Sequence, residues 1–100
     1  MNLVQRMEHA KRLFEQQDIK GAFKAYSEIK KRAPNHALAN RELARCALHL
    51  KDHQTAQKAL LVALRGLPGD ASTWELNGDH AEALRRHADA FAAYNKAMEL

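Results

Sequence analysis

His49 and His53 are the side chains whose type and spacing come nearest to chemistry. Four residues apart on a helix, two imidazoles share one face and could hold zinc or copper. Cys46, three residues before His49, could add a thiolate. A wider reading of the segment argues against the site. Asp52 marks a turn and takes His53 off the face that carries His49. Paired histidines and single soft ligands are also common on helical surfaces. The expectation is therefore no metal and no cofactor. Other chemical signatures are missing too: no His-Glu-x-x-His, no Gly-x-Ser-x-Gly, and no glycine-rich phosphate loop after a strand. The carboxylates of Glu82 and Glu99 have no evident partner pocket. The sequence predicts a non-enzyme in which Cys46 is a small interior residue rather than a nucleophile.

The elements that position these residues are helices. Only two prolines and four glycines interrupt 100 residues rich in alanine, a composition that favours helix over sheet. The length fits one domain with an elongated core. A net charge of +4 is modest, and the cations interleave with acids. The run Lys30-Lys31-Arg32 falls at the end of a predicted helix, where cations complement the negative end of the dipole. Nucleic acid is thus not the expected partner. Cys46 is the sole cysteine, and no Asn-x-Ser/Thr sequon occurs. Residues 1–12 are amphipathic and charged, with no apolar signal core. No stretch of about 18 apolar residues could span a membrane. These absences place the expected location in the reducing cytoplasm.

The chain repeats itself every 34 residues. Ala22, Ala56 and Ala90 fall in register, as do Ala10, Ala44 and Gly78; Tyr26, Leu60 and Tyr94; and Pro34 and Pro68. A period of this length predicts stacked copies of one supersecondary unit. The copies span 3–36, 37–70 and 71–100 of a single domain, 1–100. Each reads as two helices and a tight turn. The first helices run over about 3–16, 37–50 and 71–85, the second over about 20–32, 54–66 and 88–100. Asp18 and Asp52 mark the turns inside copies, and Ala33-Pro34-Asn35-His36 and Leu67-Pro68-Gly69-Asp70 the turns between them. Asn35 and Asp70 are the expected caps of the following helices, with Ser72 and Glu75 spaced for a capping box two residues further on. Phe23, Tyr26 and Ile29 share one face, and Trp74, Phe91 and Tyr94 are the large residues of the third copy. Both sets are expected in the core.

These residues make the chain resemble tetratricopeptide repeats over 3–100. The third copy matches the family pattern best, through Trp74, Gly78, Ala90, Tyr94 and Ala97. The second supplies Leu43, Ala44, Ala56, Ala63 and Pro68, and the first Ala10, Ala22, Tyr26 and Pro34. Asn77 replaces the usual leucine, and Ala47 and Ala81 replace the tyrosine. The resemblance implies an all-α, right-handed α-solenoid of three helix-turn-helix repeats. It also implies that the first helix of each pair lines a concave groove that holds a partner peptide.

Carried over by position, the groove takes Val4, Met7, Glu8, Lys11 and Glu15 from the first copy. The second gives Leu38, Arg41, Glu42, Arg45 and His49, and the third Ser72, Glu75, Leu76, Asp79 and Ala83. The middle of this face is basic and its third copy acidic, so Lys11, Arg41 and Arg45 are candidates to hold an acidic group of an extended peptide. The alternative is that Arg41 and Arg45 pair with Glu42, Glu8 or Glu75. The two-carboxylate clamp of repeats that bind chaperone tails is not reproduced, because its positions hold Met7, Lys11, Glu42, Ser72 and Leu76. The function implied is an interaction module, a scaffold or adaptor. The alternative is the N-terminal recruiting domain of a larger bacterial enzyme resembling sulfotransferase-like or glycosyltransferase-like proteins. The third copy has no polar closing helix after it, which suggests a piece of a longer protein, or self-association through Phe91, Tyr94 and Met98.

Overall fold

A computed structural model describes residues 1–100 as six α-helices and no strands. They are α1 (Leu3–Glu15), α2 (Ile19–Arg32), α3 (Ala37–His49), α4 (His53–Gly66), α5 (Ala71–Ala83) and α6 (His87–Glu99). Odd helices start at 3, 37 and 71 and even ones at 19, 53 and 87, so the 34-residue period of the sequence is the period of the structure. Consecutive helices pack as hairpins. Each hairpin then rests on the next through α2 against α3 and α4 against α5. The result is an elongated stack of 41 × 24 × 21 Å.

Side-chain caps set the helix starts. Asn2 and Gln5 form a reciprocal capping box at α1, with each side chain accepting the other's backbone N–H. Asp18, Asp52 and Asp70 accept from Gly21, Thr55 and Thr73 at the starts of α2, α4 and α5. Two of the expected caps need correction. His36, not Asn35, caps α3, its Nδ1 accepting from the Ala39 amide at 3.0 Å. Ser72 lies inside α5, because Asp70 already supplies the cap two residues earlier and leaves no capping box to form.

The turns inside hairpins share one device. Gln17, Lys51 and Arg85 adopt left-handed backbone, with φ of 67°, 60° and 59°. They lie 34 residues apart, each just after the C-cap of an odd helix. The next amides, of Asp18, Asp52 and Arg86, reach back to the carbonyls of Leu13, Ala47 and Ala81 at 2.8–2.9 Å. This paired closure normally uses glycine, because a β-carbon in that conformation costs about 1 kcal/mol or more. Lys51→Gly is therefore expected to raise stability by about 0.5–1 kcal/mol in urea unfolding. No gain would mean that the left-handed turn carries no strain.

The turns between hairpins are held by a different pair. Asn40 and Trp74 occupy the same repeat position. Asn40 Nδ2 donates to Pro34 O at 3.1 Å, and Trp74 Nε1 donates to Pro68 O at 2.9 Å. Trp74 therefore anchors a turn as well as filling space.

The core runs along the stack. Ala10, Ala22, Tyr26, Ile29, Ala39, Leu43, Ala44, Cys46, Ala59, Leu60 and Leu76 form one buried cluster. Alanines let the helices approach closely, and burying Leu43 or Leu60 is worth about 2–3 kcal/mol each. From the third hairpin only Leu76 enters this cluster. Phe91 departs from expectation: it is 69% exposed, as Met98 and Leu100 are exposed, and contributes nothing to the core. Burial, then the nearby Glu42, pushes the Cys46 thiol up to about 12, consistent with an inert interior cysteine.

Candidate interaction groove

α1 and α3 leave a concavity of about 440 Å³ between them. Its floor is Tyr26 of α2. Its walls are Leu3, Val4, Met7, Glu8 and Lys11 on one side, and His36, Leu38, Arg41 and Glu42 on the other. Seven of the fifteen groove residues expected from the sequence thus meet in one place: Val4, Met7, Glu8, Lys11, Leu38, Arg41 and Glu42. Leu3, Tyr26 and His36 were not expected there. Tyr26 belongs to a second helix, and His36 sits in a turn, so position on the first helix gave no signal for either.

The apolar wall is open to solvent. Val4 is 71% exposed, Leu38 43% and Leu3 40%. They sit together as a small patch around the mouth, an arrangement that marks a contact surface more than scattered exposure does.

The arginines are already engaged. Arg41 donates through Nε to Glu42 Oε1 at 3.0 Å and through Nη1 to Asp70 Oδ2 at 3.1 Å. Burial works against its charge, but the hydrogen bonds to Asp70 and Glu42 more than compensate and raise its pKa. Arg45 Nε lies 3.2 Å from Glu42 Oε2, too poorly aligned for a hydrogen bond. Glu42 thus faces both arginines, the pairing weighed as the alternative to peptide capture. The contact with Asp70 is new. It ties α3 to the N-terminus of α5 across the hairpin boundary. Asp70 also accepts from the Thr73 hydroxyl, and that bond, then Arg41, holds its carboxyl below the ordinary value. Lys11 is exposed and makes no ion pair, so it is the cation of the groove free to meet a ligand.

The remaining candidates lie elsewhere. His49 meets the Phe14 ring edge-on at 5.4 Å. Asp79 accepts from the Tyr94 hydroxyl at 2.6 Å. Glu75 is exposed on α5, outside the concavity. His53 starts α4 and faces His80, with ring centres 5.8 Å apart.

Comparison with known families decides what this architecture is. The model of the tetratricopeptide repeat family matches residues 13–76, well over half the chain. The chain belongs to the tetratricopeptide repeat family. The match runs from the end of α1 into α5, and so includes both turns that Pro34 and Pro68 mark. A search of curated proteins returns no match. No helix of this repeat protein is long and apolar enough to cross a membrane. Tetratricopeptide repeats generally mediate protein interactions.

Proposed function

We propose that the chain is a protein-interaction module that seats an extended peptide of its partner between α1 and α3. One observation carries the reading. Leu3, Val4 and Leu38 are exposed together at the mouth of a concavity that no part of the chain fills, with Lys11 on its rim. Apolar side chains of the peptide bury against Leu3, Val4, Met7 and Leu38, each gaining about 1–2 kcal/mol from partial burial. A carboxylate of the peptide meets Lys11. Arg41 and Arg45 play a lesser part, since Glu42 and Asp70 balance them.

This balance changes the choice of test. Alanine at Arg41 would break the tie to Asp70 and unsettle the stack, so lost binding would say nothing about the groove. Leu38→Asp and Lys11→Glu alter exposed positions instead. Peptides selected from a displayed random library on the wild-type chain should bind each variant at least about tenfold more weakly, a loss of about 1.4 kcal/mol. Circular dichroism should meanwhile report unchanged folding. Selected peptides that bind both variants as tightly as wild type would reject the groove.

A further inference from the structure

α4, α5 and α6 border a second cavity of about 510 Å³, which shares no lining residue with the groove. His80 of α5 lies in its wall, 93% buried by the residual exposure of 7%. Neither of its ring nitrogens has a hydrogen-bond partner, and the buried Nδ1 of His53 has none either. The two rings face each other across the boundary between the second and third hairpins. An imidazole in such a place is held neutral, because the imidazolium would lose its hydration and gain no acceptor.

We propose that the His53–His80 pair makes the seating of the third hairpin on the second sensitive to mild acid. Above neutral pH the His80 ring is neutral and the hairpins nest. As the pH falls through the histidine range, the open form of the boundary takes up a proton that the closed form refuses. The third hairpin then loosens, uncovering Leu60 and Leu76.

The charges around the pair point the same way. From α4, His53 opposes a cation on His80, and from the start of α6 so does Arg86; with burial as the leading cause, these hold His80 below its ordinary value of 6.5. Lys96 of α6 lines the same cavity but is exposed. Asp89 of α6 also lines it but is exposed and makes no bond to His80. Asp52 precedes His53 in sequence and is not among the groups that shift His80. The C-terminal dipole of α5 favours a cation at His80, but the other influences outweigh it.

Because the folded-state value is lowered, the stabilising effect is complete above pH 6.5 and is lost as the pH falls from there towards the lowered value. Each pH unit in that window raises the open population by up to about tenfold. Asp52 and Asp70 do not confuse the window, since both are held below the ordinary carboxylate value of 3.8. His87 and Glu82 approach at 3.7 Å on the same hairpin, but both are largely exposed and give little compensation. Protonating His36 would remove the cap of α3, an effect on the second hairpin rather than the third.

The test is amide hydrogen exchange of the whole chain at pH 7.5 and 5.5, corrected for intrinsic rates. Protection of α5 and α6 should fall more than that of α1 and α2, by up to about tenfold, and His80→Leu should abolish the difference. Equal loss in wild type and His80→Leu, or no loss at all, would overturn the proposal. Should His80→Leu fail to fold, an NMR titration of the wild-type ring decides: a His80 value clearly below 6.5 supports the proposal, and one at or above 6.5 overturns it.

Discussion

Asp70→Ala should destabilise the chain by about 2–4 kcal/mol, and the third hairpin should melt ahead of the other two. Three losses combine. The N-cap of α5 goes, at about 1 kcal/mol. The buried Thr73 hydroxyl loses its acceptor, at about 1–3 kcal/mol. The tie from Arg41 also goes; its partners are only partly shielded, so it adds less than about 1 kcal/mol. Stability in a repeat stack is a sum of unit and boundary contributions. Weakening one boundary therefore splits the unfolding curve rather than merely shifting it. Thermal unfolding followed by helix content should show two steps in Asp70→Ala, the first at least about 10 °C below the wild-type transition. A single transition at the wild-type temperature would mean that Asp70 does not couple the hairpins.

Gly78→Ala should destabilise by about 1–2 kcal/mol, although helix propensity alone would make it stabilising by about 1 kcal/mol. The reason is the Tyr94 ring. A β-carbon at Gly78 would lie 2.5 Å from Tyr94 Cε1 and 2.7 Å from Cδ1. To make room, the ring must swing away and stretch or break the bond from its hydroxyl to Asp79. That bond is also the main cause raising the Tyr94 hydroxyl to about 12. Tyr94→Ala should remove the clash, so Gly78→Ala in that background should become neutral or stabilising. Urea unfolding of the four proteins in this cycle measures the coupling. A stabilising Gly78→Ala in the native background would show that the ring yields without cost.

Period and composition made the hairpins legible before any coordinates. Alanines in register and two prolines 34 residues apart left no other regular arrangement, and the six helices follow. Details that depend on chain direction or tertiary partners were harder to read. Gln17, Lys51 and Arg85 carry the left-handed turns without the glycine that would have announced them. Asn40 and Trp74 anchor equivalent turns with unrelated side chains, so no residue type repeats there. Half of the groove's character was visible: Met7, Lys11 and Leu38 follow from the family resemblance carried over by position. The tie from Arg41 to Asp70 was not, because Asp70 lies 29 residues away in a turn. Phe91 looked like a core aromatic because it shares a hairpin with Tyr94, yet only Tyr94 finds a neighbouring helix to cover.

The groove itself can be mapped residue by residue. Backbone amide shifts of the isotopically labelled chain, recorded while a library-selected peptide is added, report where it sits. The account predicts that the largest changes fall on α1 around Val4, Met7 and Lys11 and on the first turns of α3 around Leu38. Changes confined to α4 and α6, with α1 silent, would contradict it.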